Sequence, residues 1–387
     1  MSLTYLLLSL PAVLIFLSRL LKGAKRRGAI APQQPTPEMQ AAVSIVVPTL
    51  NEADRIAPCL SGLSKQGEEV REISIVDSNS RDGTREIVKT AAERDRRFRL
   101  LTDDPLPPHW IGRPWALHYG FLQSSPESRW ILGIDADTQP QAGLVASLLA
   151  IAEAEGYDLI SLSPQFILEY PGEWWLQPAL LMTLLYRFDA SGVDAKISDR
   201  VMANGQCFFC RRSVLESVGG YESARSSFCD DVTLARHIAA RGYKVGFFDG
   251  RRVLKVRMYE GLAETWREWG RSLDLKDASS KGQIWNDLWV LLCTQALPIP
   301  ISILGCGLIA MGYGTLPLKI LTGLNLGLVF IRFALLVAIA PSYYRPPKKS
   351  PASLLFWLSP FADPLAVLRI FLSAANKPKQ WRGRSYK

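Results

Sequence analysis

Histidine is scarce in this chain: three among 387 residues, His109, His118 and His237, with no spacing that would gather two of them at one site. That excludes a histidine zinc centre and a Ser–His–Asp type of triad. Cysteine is scarce as well. Six are present, and Cys207-x-x-Cys210 has no second pair at zinc spacing, so reduced, partly buried thiols are expected rather than a disulfide framework or a metal knot. No Gly-x-Gly-x-x-Gly follows the first strand-like run, which disfavours a dinucleotide oxidoreductase, and no repeat of solenoid period is visible.

Charge is missing from long stretches. Residues 1–21 are almost wholly apolar, and Lys22, Lys25, Arg26 and Arg27 come directly after them. A cleavable signal peptide carries its positive charges before the apolar stretch, so this order predicts an uncleaved anchor whose basic flank, and the domain after it, stay in the cytoplasm. Between residues 288 and 344 only Lys319 and Arg332 are charged, enough for two helical spans broken near 312–317. Residues 354–374 are interrupted by Pro360, Asp363, Pro364 and Arg369, which predicts a re-entrant or interfacial segment. The net charge of +9 sits beside these apolar segments, at 22–27, 345–349 and 377–387. Membrane lipids with anionic headgroups fit that pattern. Nucleic acid does not, because no base-stacking aromatics accompany the basic clusters. An integral membrane protein with a cytoplasmic catalytic domain is expected.

What remains is one α/β domain. The expected division is an anchor with its basic flank over 1–28, a Pro- and Gln-rich linker over 29–40, the domain over 41–284, two transmembrane helices over 285–340, and a basic loop, apolar segment and basic tail over 341–387. Four apolar runs, 43–50, 72–79, 98–103 and 130–137, each lead into a turn and an amphipathic stretch. Strands alternating with helices predict a parallel, Rossmann-like sheet whose ligands bind beyond the carboxyl ends of its strands.

The chemistry-bearing residues cluster at those ends. Asp135 and Asp137 close the run Trp130-Ile-Leu-Gly-Ile-Asp-Ala-Asp-Thr138. Two hard oxygen ligands suit Mg²⁺ or Mn²⁺ completed by a substrate diphosphate. The first strand stops at Pro48-Thr-Leu-Asn-Glu52, an edge that can hold a base, and the second at Asp77-Ser-Asn-Ser-Arg-Asp-Gly-Thr84. There Asp77 can accept from a base imide or ribose hydroxyl, while Asp82 either caps the next helix or binds ligand. Arg113, in Gly112-Arg-Pro-Trp-Ala116, either touches phosphate or shapes the start of its helix. In Asn204-Gly-Gln-Cys-Phe-Phe-Cys-Arg-Arg212, Gly205 lets backbone approach a ligand, and Arg211 or Arg212 either faces the diphosphate or is solvated. Asp230 and Asp231 open a helix that they either cap or equip for catalysis.

Taken in order, Pro48-x-x-Asn-Glu52, Asp77 with Asp82-Gly-Thr84, Asp135-x-Asp137, the 205–212 segment and Asp230-Asp231 resemble family-2 glycosyltransferases of the GT-A fold, over residues 43 to about 248. The resemblance implies that Pro48, Thr49, Glu52 and Asp77 hold the nucleoside, Asp135 its ribose, and Asp137, with Asp135, a divalent metal on the diphosphate. Asp231 is then the general base. The family's usual acidic pair is Glu-Asp, so the shorter Asp230 puts the role of that position, not of Asp231, in question. The flanking segments 102–108, 170–175, 266–272 and 381–384 look most similar to the carotenoid 2'-O-glycosyltransferases of cyanobacteria, and by the same resemblance Trp269 and Arg271 belong to the substrate site. The resemblance therefore implies an inverting enzyme that moves a sugar from a nucleotide-sugar donor to a hydroxyl of a lipophilic acceptor, a carotenoid in particular. The alternatives are another lipid alcohol of sterol, hopanoid or ceramide type, or a processive polysaccharide synthase, against which stands the absence of that group's Gln-x-x-Arg-Trp motif.

Overall fold

The structure, a computed structural model, describes residues 2–23, 26–188, 191–192, 198–272, 275–345, 351–375, 380–381 and 384–385. The chain forms two compact units, one of residues 26–167, 191–258 and 378–387, the other of 1–25, 168–190 and 259–377. The sheet-bearing unit thus closes at 258, not 284, and gives up 168–190 to its neighbour in sequence.

Ten strands build the two main sheets of the first unit: β1 Val43–Thr49, β2 Val70–Asp77, β3 Phe98–Thr102, β4 Trp130–Gly133, β5 Thr138–Pro140, β6 Leu159–Ser163, β7 Gln165–Phe166, β8 Phe208–Arg211, β9 Val245–Asp249 and β10 Leu254–Val256. Seven lie in one sheet of order β3-β2-β1-β4-β8-β6-β9, and β5-β10-β7 make a small second sheet. All four sequence-predicted runs are strands. Alternation decides which face each side chain covers: Ile45, Val47, Ile73, Ile75, Trp130 and Leu132 enter one apolar core. Their neighbours Val46, Val76 and Ile131 enter the other, with Leu117 and Phe121 of the helix Gly112–Gln123. A large side chain buried this way contributes about 1.5–3 kcal/mol.

The sheet is mixed, which corrects the expectation of a parallel one. β1 runs parallel to β2 and β4, but β8 runs antiparallel to both β4 and β6. The handedness rule constrains direction only where one crossover helix links adjacent parallel strands. Between β7 and β8 the chain instead makes a long excursion through the helix Pro171–Arg187. The linker is irregular as expected but ordered against the domain: Ile30 N–H donates to Asp249 O at 2.8 Å, and Gln33 N–H to Ser147 Oγ at 3.0 Å.

The second unit is helical. Ser2–Gly23, Leu316–Ser342 and Pro351–Ala375 are long and apolar enough to cross a membrane, and Lys281–Ala296 with Pro298–Ala310 forms a pair bent by 47°. Pro298 lacks the N–H that would continue the helix, so the chain turns there. Of the apolar helices over 285–340, Leu316–Ser342 is thus one long helix, and the stretch before it is broken at Pro298. Several buried charges of this unit are paired. Arg19 donates to Tyr186 O at 2.7 Å and to Asp287 Oδ1 at 3.2 Å. Arg332 grips both oxygens of Asp363, at 2.8 and 3.0 Å, and Gln295 Nε2 donates to Asp363 Oδ1 at 3.0 Å. Asp363, which in sequence only interrupts an apolar run, is thus half of a buried pair.

Candidate active site

β4 ends at Gly133, so Asp135 and Asp137 lie in the turn beyond it rather than on the strand. Thr138 Oγ1 closes that turn by donating to Asp135 O at 2.7 Å. β5 then pairs Thr138 with Val256 of β10, which fixes the loop's far end. Beneath it lies Cys59. Burial pushes its thiol up to about 12, and the charges of Asp137, Asp135 and Glu52 add to the shift, so the sulfur stays protonated.

Next door, the β1 and β2 ends are laced together. Thr49 sits opposite Asp77 in register, its hydroxyl 3.4 Å from Asp77 Oδ2, with Pro48 opposite Val76. Fully buried Asp77 also accepts from Ser80 N–H and from Arg85 Nη1, both at 3.1 Å. Asn51 takes a left-handed φ of 54° and accepts from Arg81 N–H at 2.9 Å, a conformation that asparagine tolerates. Asp82 binds inward in both directions: it accepts from Thr84 N–H at 3.1 Å at the start of its helix and from Ala53 N–H at 2.9 Å in the β1 loop. Glu52 is buried, and its N–H donates to Thr84 Oγ1 at 2.9 Å.

The acids of the helix Asp230–Ala240 meet this edge through Arg113. Its Nε and Nη2 both donate to Asp135 Oδ1, at 3.0 and 2.8 Å, Nη2 also donates to Gly205 O at 2.9 Å, and Nη1 donates to Asp230 Oδ2. Asp231 Oδ2 accepts from Gly205 N–H at 2.6 Å, and its Oδ1 from Val232 N–H at 2.8 Å. Burial, with the Asp230 charge beside it, pushes the Asp231 carboxyl up to about 6. Burial raises Asp230 as well, against the pull of Arg113. The result is one carboxylate tied into an ion pair beside a neighbour whose hold on its proton is raised.

One expectation, that Arg211 or Arg212 faces the diphosphate, is corrected here. Arg211 lies opposite Trp130, at the start of β4 and so at the other end of the strand from the acidic turn. It stacks on that indole, 4.5 Å from its centroid, and pairs with Asp158. Arg212 donates to Ser128 O at 2.7 Å and to Ser124 Oγ at 2.6 Å. Neither faces the acidic turn, because antiparallel β8 carries its last residues away from it. Trp269 belongs to the helical unit, buried and edge-on to Tyr259 with centroids 6.2 Å apart. The side chain of Arg271 lies outside the described residues. Sequence reasoning missed Cys59 and Thr138 under the acidic turn and Arg85 on Asp77. It also left open what Arg113 does, since its partner Asp230 is 117 residues away.

Among the described residues no three His, Cys, Asp or Glu side chains form a ready metal cluster. Asp135 and Asp137 alone fit an ion such as Mg²⁺ or Mn²⁺, which takes its remaining oxygens from phosphates and water, and would not fit a closed structural zinc site.

This sheet, with an acidic turn at its carboxyl edge, defines the GT-A class of nucleotide-sugar enzymes. The model of glycosyl transferase family 2 matches residues 44–219, and that of glycosyl transferase family 21 matches 188–387, more than half of the chain. The chain is a family 2 glycosyltransferase by its sheet-bearing part and belongs to family 21 by the longer match. It is 25% identical over 259 residues to the 4,4'-diaponeurosporenoate glycosyltransferase of Staphylococcus haemolyticus, covering 66% of this chain and 68% of that one. To the glycosyltransferase AglE of Haloferax volcanii it is 26% identical over 210 residues, 53% of this chain and 64% of the other. In fold it is similar to a mannosyltransferase of Pyrobaculum calidifontis solved with GDP-Man and Mn²⁺, with a TM-score of 0.56 at 17% identity over 97% of each chain.

Proposed function

We propose that this glycosyltransferase inverts the sugar it moves and delivers it to a hydroxyl of a lipophilic, membrane-dissolved acceptor, a carotenoid bearing a 2'-hydroxyl. The observation that carries the chemistry is the meeting of Asp135, Asp230 and Asp231 around one guanidinium, with Asp231 left to act as base. Thr49, Glu52 and Asp77, beside Pro48, hold the nucleoside at the joined ends of β1 and β2, and Asp135 holds the ribose. A divalent ion on Asp137 and Asp135 would neutralise the departing nucleoside diphosphate. Asp231 takes the acceptor's proton as its oxygen forms the bond to the anomeric carbon. One displacement reverses the configuration at that carbon, and no covalent nucleophile is needed.

The acceptor class is supported by the Staphylococcus haemolyticus relative, whose name places a carotenoid-type compound in the reaction, and by the three apolar helices long enough to cross a membrane. The domain then works at the cytoplasmic face, where nucleotide sugars are made. Deleting the gene in its host and profiling pigments and polar lipids by mass spectrometry tests the reading. Loss of a carotenoid glycoside with accumulation of its free alcohol is expected. Loss of a different lipid glycoside with pigments unchanged overturns the carotenoid assignment, and an unchanged set of glycosides overturns the lipid acceptor altogether.

A further inference from the structure

We propose that Arg113 is the positioning residue of the acceptor base, coupling the base-bearing helix to the donor-side carboxylate through one guanidinium. The inference rests on the reading of Asp231 as base and deepens it. Arginine presents five N–H donors in a fixed fork. Four are committed here: two to Asp135 Oδ1, one to Gly205 O and one to Asp230 Oδ2. A side chain so engaged is not available to grip a diphosphate without releasing the acids.

The geometry reaches both residues of the acidic pair. Asp230 is held directly. Asp231 is held at one remove, because the Gly205 whose carbonyl Arg113 clamps is the residue whose N–H donates to Asp231 Oδ2 at 2.6 Å. Position 205 has to be glycine for this. A Cβ there would collide with Arg113 Nη2 and lie 2.8 Å from its Cζ, so a larger residue would push the guanidinium off its four bonds. From sequence, Gly205 is expected to make room for a ligand; the structure gives that close approach to Arg113.

The charges bearing on Asp231 are Asp230 on its own helix and Arg113 from the helix Gly112–Gln123, which also pairs with Asp135 of the turn after β4; the buried Tyr221 hydroxyl feels the same pair. Arg113 is the cation among them. Its removal leaves carboxylates repelling one another, so Asp231 binds its proton more tightly and the acidic limb of the rate profile moves to higher pH.

The test uses the full-length protein in detergent with UDP-glucose and GDP-mannose as donors, Mn²⁺, and a lipid extract of the host as acceptor, reading released nucleoside diphosphate. Arg113→Met is expected to lower kcat by about ten- to a hundredfold with donor KM changed less than about threefold, and to move the acidic limb upward by roughly half a pH unit or more. Arg113→Lys restores the charge and returns the limb toward its original pH. It does not restore kcat, because a single ammonium cannot reproduce the fork. Gly205→Ala, which displaces the guanidinium without removing it, is expected to reproduce the kcat loss. A rise in donor KM with the limb unmoved would show Arg113 on the diphosphate and overturn the proposal. A loss of turnover with an unmoved limb and a lower melting temperature would show a purely structural role and overturn it as well. Near-normal turnover of Asp231→Asn is a separate result, which removes the base itself.

Discussion

Asp231 and Asp230 are adjacent in the chain and differ in surroundings, and that difference decides their roles. Asp231 accepts only from backbone N–H groups, while Asp230 is bound by a guanidinium. Asp231→Asn is therefore expected to keep donor affinity and lose turnover about a hundredfold or more, with Asp230→Asn milder, because an amide oxygen still accepts from Arg113. A larger turnover loss at 230 than at 231 would reverse the assignment. Since the Asp231 carboxyl is pushed up to about 6 and acts in its ionised form, activity should be half-maximal near pH 6, fall below it and level off above neutrality. Steady-state rates from about pH 4.5 to about pH 8 check this, and a limb near the ordinary carboxylate value of about 4 would contradict it. At the donor side, Asp137→Ala should abolish transfer and Asp137→Asn should lose about ten- to a hundredfold. Chelation should silence the wild type reversibly. Normal turnover in either variant sinks the metal assignment.

At the scale of elements, the acidic turn is only as well placed as the strand that carries it. Trp130 opens β4, is fully buried, and stacks on Phe209 of β8 with centroids 4.6 Å apart and planes 7° from parallel. Trp130→Ala removes that stack and the surface under Arg211. A cost of about 3–5 kcal/mol is expected, the range for deleting a large aromatic from a core. It should appear as a drop in the detergent melting temperature well beyond that of the exposed substitution Lys89→Ala. β8 also shows why Arg211 and Arg212 were misplaced from sequence. Their motif is right for the family, but the direction of a strand is not written in its residues. Here that direction reverses after a long excursion, and it sends the arginines to the opposite edge.

At the scale of the whole molecule, the helical unit places charges where an apolar chain can least tolerate them alone. Arg332 and Asp363 are both buried and make two hydrogen bonds to each other. Removing one partner strands the other, so Arg332→Leu or Asp363→Leu alone should destabilise by about 3–5 kcal/mol, while the double substitution should be nearly neutral. Thermal melting in detergent or lipid nanodiscs reads this, and additive losses would mean the pair does not act as a pair. By the same charge bias we propose that the basic tail, 377–387, lies in the cytoplasm. In a Cys306→Ser background, which removes the exposed native thiol, Ser385→Cys should react with an impermeant reagent only after cells are permeabilised. Labelling of intact cells would place the tail outside.

Local patterns in the sequence were enough for the four strands, the long apolar helices and the order of acidic motifs that marks the family, because each depends on residues close together in the chain. Period-two alternation, uncharged length and strand-end chemistry are local properties. The tertiary structure alone decided the reversed direction of β8 and the removal of Arg211 and Arg212 from the acidic edge. It alone brought Arg113 to Asp230 and Asp135, and Arg332 to Asp363. Those depend on where distant segments meet, and a guanidinium chooses its carboxylate by distance in space, which separation along the chain does not encode.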